Sequence, residues 1–276
     1  MRSRPASPQQ RTPSLVSQRV IGVQMDGSVA RVRLIRPQVR NAFNQQLIGE
    51  LTECFRSFAD DSKVRVVVLS GEGSTFCGGA DINWMRASLD LSKEENVADA
   101  RRMSDMFRTI DRCPKPVVAQ VHGAALGGGA GLVAVCDVAI AEGNTRFGFT
   151  ETKLGILPAV ISPFVLAKIG SSHARALFLS GERFTAQRAL DIGLVHEIAA
   201  KNDLEHAVAR VCEELLTAAP GAIAAAKQTI AHVVQATYEE TRALTAEIIA
   251  KQRTSAEGQE GLLAFLERRK ARWIVD

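Results

Sequence analysis

The sequence predicts an α/β fold with crossover helices, followed by a region built almost only of helices. Three observations carry that prediction. Short Val- and Ala-rich runs alternate with amphipathic stretches through the first part of the chain. Two of those runs lead straight into glycine-rich loops, at residues 71–81 and 123–131. From residue 161 onward the pattern is helical, broken at Gly170, Gly181, Gly193 and Pro220-Gly221. Strands that alternate with helices imply parallel neighbours joined by crossovers.

Residues 1–18 stand apart. They hold Arg2, Arg4 and Arg11, prolines at 5, 8 and 13, and no acid. A transit peptide is similarly Arg- and Ser-rich, but the prolines spoil an amphipathic helix, so a disordered N-terminal extension is expected. From residue 20 the chain reads as globular. Residues 29–35 alternate apolar and charged, the pattern of a strand with one solvated face. Residues 44–59 place Leu47, Ile48, Leu51, Phe55 and Phe58 at helical spacing. Residues 63–69 are Val-rich and predict a buried strand. A polar-faced helix over 94–111 ends before Pro114 and Pro116. Residues 116–121 predict a buried strand, 132–136 a short buried helix, and 137–141 another short strand. The last helix is expected over about 257–272, with Leu262, Leu263 and Leu266 beside Arg268, Arg269, Lys270 and Arg272. Those cations suit either a solvated helix end that complements the dipole or a site for a phosphate-bearing ligand.

The central stretch is residues 121–132, with three consecutive glycines, Gly127, Gly128 and Gly129. Glycine removes the Cβ that keeps a ligand off the backbone. A strand, a glycine turn and a helix start present unpaired N–H groups and the positive end of a helix dipole. That suits an anion, or a carbonyl oxygen that becomes one during reaction. A tight packing turn is the plainer alternative. If the strands before the two glycine loops are neighbours, N–H groups from both loops converge on one oxygen. Glu151 follows, between two apolar stretches. In an apolar pocket a Glu has a raised pKa and exchanges a proton near neutral pH. Helix capping, or pairing with Lys153, is its alternative role.

These segments together resemble the enoyl-CoA hydratase/isomerase (crotonase) family. Asn41-Ala42-Phe43-Asn44, Phe76-Cys77-Gly78-Gly79-Ala80-Asp81-Ile82, His122-Gly123-Ala124-Ala125-Leu126-Gly127-Gly128-Gly129, Cys136-Asp137 and Phe147-Gly148 to Pro158 occur in the family's order and spacing. The resemblance runs from residue 20 to the C-terminus. It implies a spiral of ββα turns over 19–205 and a helical region over 206–276 that packs a homotrimer or a dimer of trimers. It implies an acyl-CoA thioester as substrate, with no cofactor beyond the coenzyme A that the substrate carries. Ala80 and Gly128 match the residues whose N–H groups hold the thioester oxygen, and Glu151 matches a catalytic carboxylate. Gly78, Asp81, Ile82, Gly127 and Gly131 fall at or beside substrate positions. Arg268 falls at a position that reaches CoA phosphate, on this subunit or a neighbouring one.

One departure stands out. Hydratases of this family commonly hold a second glutamate three residues after Gly128, where this chain has Gly131. The glycine fits an isomerase with one proton shuttle. It also fits a hydratase that positions water by other groups, or one with room for a larger acyl chain. Residues 80–86, 131–137 and 157–165 resemble proteins assigned as methylglutaconyl-CoA or carboxygeranoyl-CoA hydratases, of leucine or isoprenoid breakdown. A hydratase on a branched 2-enoyl-CoA is therefore the leading expectation. An isomerase and an inactive CoA-binding relative are the alternatives.

Composition bounds the rest. A net charge of +4 is too small to argue for nucleic acid, and no apolar run approaches the ~20 residues of a membrane span. Five cysteines without CxxC pairing suggest reduced thiols in the cytoplasm. No HExxH spacing occurs, so no metal is expected. Residues 129–134 fit GxGxxA, but the motif starts well after its strand and lacks the acid of a dinucleotide site.

Overall fold

The computed structural model describes residues 19–274. The extension expected over residues 1–18 lies outside them. An antiparallel hairpin opens the fold, β1 (Ile21–Asp26) and β2 (Val29–Leu34). β1 is an edge strand with only Ile21 buried, so it carries no alternation to read. α1 (Gln45–Asp60) follows, with the Asn44 side chain accepting from the Leu47 N–H and its five expected apolar residues buried. Next come β3 (Val66–Gly71), the short α2 (Ile82–Ala87) and α3 (Lys93–Asp111), which starts on a Ser92/Glu95 capping box. β4 (Val117–Val121), β5 (Ala124–Leu126) and α4 (Gly128–Val135) form the central unit. β6 (Val138–Glu142), β7 (Arg146–Gly148) and α5 (Ser162–Ser180) repeat it. β8 (Arg183–Thr185), α6 (Ala186–Asp191) and β9 (Glu197–Ala199) complete the strands. Four helices close the described chain: α7 (Leu204–Thr217), α8 (Pro220–Val233), α9 (Tyr238–Thr254) and α10 (Ala256–Leu266).

One sheet has the order β1-β2-β3-β4-β6-β9, and from β2 onward its neighbours are parallel. Val32 lies opposite Leu69, Leu69 opposite Ala119, and Ala119 opposite Ala139. A smaller sheet, β5-β7-β8, stands beside it. Single bridges extend that second line, Cys77 to Ala125 and Phe43 to Ala80. The chain thus winds repeatedly through one strand of the large sheet, one extended segment of the small one, and a helix. This is the expected ββα spiral. The Val-rich run at β3 is buried on both faces. Val67 and Leu69 point into the main core, while Val66 and Val68 meet Leu204, Val208 and Cys212 of α7.

Three expectations need correction. The helix expected at 132–136 begins at Gly128, so the glycines are its first turn rather than a loop before it. All eight of its residues are buried, and contacts with the surrounding core outweigh the low helix propensity of glycine. The region after 161 is not purely helical, because β8 and β9 pair with β7 and β6; three-residue strands are too short to show a period. The last helix stops at Leu266 instead of continuing to 272, and Arg268 adopts a left-handed φ of 54° beyond it. Arg269 is then held by Glu260 at 2.6 Å and Glu267 at 2.7 Å, which is a local clasp rather than a helix end.

Candidate active site

The loops after β3 and β4 converge because those strands are parallel neighbours. The Cys77 N–H donates to the Ala124 carbonyl at 3.1 Å, and the Leu126 N–H donates to the Cys77 carbonyl at 3.0 Å. Asn41, fully buried and with a left-handed φ of 54°, ties the first loop down. Its Nδ2 donates to the carbonyls of Thr75 at 2.7 Å and Glu72 at 2.9 Å, and its Oδ1 accepts from the Arg36 N–H.

That fixing orients Ala80. The Phe43 N–H donates to the Gly79 carbonyl at 2.7 Å, and the Asp81 N–H donates to the Phe43 carbonyl at 2.9 Å. Successive N–H groups of extended chain point to opposite sides. The Ala80 N–H therefore points away from Phe43, and it has no acceptor among the described residues. Gly127 provides the second arm. Its φ of 52° and ψ of −122° are open only to glycine without strain. Its N–H donates to the Gly148 carbonyl at 2.8 Å. Gly128 is the first residue of α4, so helix geometry leaves its N–H without an intrahelical acceptor. A Cβ there would meet Met103 Cε at 2.8 Å and Phe43 Cε2 at 3.0 Å. A side chain there would displace the end of Met103 and press on the Phe43 ring.

Ala80, Gly128 and Glu151 line one cavity of about 340 Å³, together with Gly78, Gly127, Trp84, Met103 and Ile161. Glu151 begins a short 3-10 turn after β7. Its Oε1 lies 3.1 Å from where a Cβ on Gly127 would sit, so the carboxyl group rests against the glycine turn. Its Oε2 is buried and has no protein partner. Burial pushes the Glu151 pKa up; its own N–H opposes this weakly. No ion pair joins it to Lys153 among the described residues, and it caps no α-helix. Two residues with free N–H donors and a carboxyl group with one unpartnered oxygen, all lining one cavity, can hold a developing oxyanion while moving a proton.

The remaining sequence-predicted residues sit elsewhere. Asp81 does not line the cavity. Its Oδ1 accepts from the Asn83 N–H, capping α2, and its Oδ2 pairs with Arg36 at 2.7 Å. Ile82 is 73% exposed and does not line it either. Arg268 is exposed beyond α10 and does not line the cavity. Gly131 also faces away. A Cβ there would meet Ile161 Cγ2 at 2.3 Å and Phe107 Cζ at 3.2 Å. Gly131 therefore does not leave open room for an acyl chain, because Ile161 fills that space and itself forms the cavity wall. Trp84 and Ile161 are wall residues that lie in the stretches quoted for the resemblance without a role of their own there, and Asn96, Asp99, Ala100 and Met103 of α3 are wall residues that no motif singled out. A cavity of about 550 Å³ lies between α5 and α8. Its lysines are engaged, Lys227 with Asp137 at 2.6 Å and Lys168 with the Cys136 carbonyl at 2.8 Å. No cluster of metal-ligating side chains occurs among the described residues, and no helix there is long and apolar enough to cross a membrane.

Comparison with known proteins bears on the family and the fold. A sequence model described as enoyl-CoA hydratase/isomerase matches residues 24–275. A short-chain-enoyl-CoA hydratase of Clostridium acetobutylicum is 31% identical over 254 residues, covering 90% of this chain and 95% of that one. The crystal structure of an enoyl-CoA hydratase from Shewanella pealeana superposes with a TM-score of 0.89 at 36% identity, over 92% of this chain and 96% of that one. The AtuE protein of Pseudomonas aeruginosa gives a TM-score of 0.90 at 38% identity, over 92% and 99%.

Proposed function

The chain belongs to the enoyl-CoA hydratase/isomerase family, and from that premise we propose that it adds water across the double bond of a 2-enoyl-CoA thioester. The thioester oxygen accepts from the N–H groups of Ala80 and Gly128. As the water oxygen bonds to C3, the Glu151 carboxylate takes a water proton and the double-bond electrons move onto the thioester oxygen as an enolate. Glu151 then returns that proton to C2. One carboxyl group serves as base and acid in turn, and the enolate is held throughout by amide donors that need no reorganisation. The observation that carries this reading is Glu151, with its Oε2 buried and without a protein partner, lining the same cavity as Ala80 and Gly128, whose N–H groups have no acceptor among the described residues.

The acyl chain is proposed to be branched, of the 3-methylglutaconyl type, placing the enzyme in leucine or isoprenoid breakdown. Gly78 lies beside the proposed CoA path, and Arg268 is proposed to meet CoA phosphate in a trimer or dimer of trimers. Five free cysteines, four of them buried, suit a reducing cytoplasm.

One observation favours a second reading. With Ile161 packed against Gly131, the described cavity lining holds no second glutamate, and its other carboxylate, Asp99, is taken by Arg102 and Gln45; one unengaged carboxyl group suits proton transfer between C4 and C2. A panel of 2-enoyl- and 3-enoyl-CoA thioesters, scored separately for hydration and double-bond migration, tests both. Faster migration than hydration on every substrate would favour the isomerase. No turnover at all would point to a CoA-binding protein without catalysis.

A further inference from the structure

We propose that Trp84 is a specificity-determining residue whose indole N–H donates to an oxygen carried by the acyl chain beyond the thioester. This rests on the acyl-CoA reading above and specifies what the far end of the chain must offer.

Trp84 sits on α2, which Asp81 caps and Arg36 pins through Asp81. It lines the cavity, and its Nε1 is buried without a protein acceptor. The chain's other tryptophan behaves differently, since Trp273 Nε1 donates to the Thr217 carbonyl at 2.9 Å. An indole N–H only donates, and a buried one normally finds a partner. Nε1 has no open surface, so the indole turns as the acyl chain enters; leaving it unpaired is costly, so a ligand oxygen that completes it is favoured over a hydrocarbon that cannot.

The neighbouring polar groups are already engaged. Ser88 Oγ donates to the Met85 carbonyl at 2.7 Å. Asn96 Nδ2 donates to the carbonyls of Leu91 and Ser92, each at 3.1 Å. Asp99 accepts from Arg102 at 2.7 Å and from Gln45 at 3.3 Å. No Lys or Arg lines the cavity among the described residues. Of these groups, the indole N–H is the donor left without a partner. A site built around one hydrogen bond discriminates against analogues that lack the matching atom.

The test uses saturated CoA thioesters, which bind without being hydrated. Three acyl ends are compared: a hydrocarbon, a neutral hydroxyl or ketone, and a carboxylate. In wild-type protein labelled with 15N at tryptophan, two indole signals are expected, and Trp273→Phe identifies the second. The Trp84 signal should move downfield with an oxygen-bearing end and not with the hydrocarbon. Whichever oxygen moves it further names the preferred chemistry. Trp84→Phe keeps the apolar ring face and removes the donor, so the affinity ratio of oxygen-bearing to hydrocarbon thioester should fall roughly tenfold. An equal indole shift with all three ends, or an unchanged ratio in Trp84→Phe, would overturn the proposal. The wild-type spectrum decides alone should the variant not fold. Failure of every thioester to bind would instead overturn the acyl-CoA reading itself.

Discussion

Replacing Glu151 by Gln should lower activity and raise stability at once. Gln keeps the side-chain shape and removes the exchangeable carboxyl proton. General acid–base catalysis commonly contributes ~100- to 10,000-fold, so kcat should fall at least ~100-fold with little change in CoA-thioester affinity. The stability effect follows from burial. Oε2 has no partner, and the pKa is raised because burial disfavours the charged form. A carboxyl group raised in the folded state is best tolerated while protonated. Its penalty is absent below the unfolded value of about 4.3 and sets in as pH rises through the higher folded value. A buried polar atom left unpaired costs about 1–3 kcal/mol. Gln still leaves one polar atom there, so a gain of about 1 kcal/mol is expected, or ~2–4 °C in Tm for a chain of this size. Melting curves at pH 8 and pH 4 read it. The Glu151→Gln variant should melt higher than wild type at pH 8 and level with it at pH 4. The enoyl absorbance of the substrate reads kcat, and its acid limb should lie above the usual carboxylate range. Near-normal turnover in the variant, or a lower Tm at pH 8, would refute the reasoning. A merely structural Glu would lose both together.

The remaining expectations concern the walls and supports of the cavity. Gly131→Ala drives a Cβ into Ile161 Cγ2 and should cost about 1–3 kcal/mol by overpacking. Ile161→Ala alone should cost about 2–5 kcal/mol. The double variant should lose clearly less than the sum in denaturant titrations, since the second change removes the clash; additive losses would mean the two residues do not meet. Asp81→Ala uncaps α2 and leaves Arg36 unpaired at a largely buried site. It should cost about 3 kcal/mol at pH 7. Burial acts to raise the Asp81 pKa, but the Arg36 hydrogen bond and charge and the Asn83 amide together hold it below the usual range. Its stabilisation is therefore present above the unfolded value of about 3.9 and lost as pH falls through the folded one. The gap between wild type and variant should narrow as pH falls below the unfolded value and through the lower folded one; a gap independent of pH would leave the ion pair no role.

Much of the fold was legible because its signals are local. α1 shows five apolar residues at helical spacing, and Asn44 caps it. β3 and β4 show as Val-rich runs because both faces of the sheet are covered. β1, β8 and β9 were not legible: an edge strand with one buried residue, or a strand of three residues, carries too little pattern. The end of α10 was misread because charged residues continue past it, and only the backbone turn at Arg268 marks the stop.

For the site, the sequence alone determined which chemistry was on offer. Two glycine loops after buried strands and one Glu between apolar stretches can be found by reading, because bare backbone and an isolated acid are properties of residue type. What only the tertiary structure decided is where each of those groups points. Ala80 turns its N–H away from Phe43 because Gly79 and Asp81 both bond to Phe43, a partner some forty residues earlier in the chain. Asp81 turns from a substrate candidate into a support because Arg36 reaches it across the fold. Gly131 turns from an opening into a packing contact because Ile161 lies over it. Trp84 becomes a candidate recognition group only because its N–H is buried with no protein acceptor. Direction, burial and pairing are set by neighbours distant in sequence, and no local pattern encodes them.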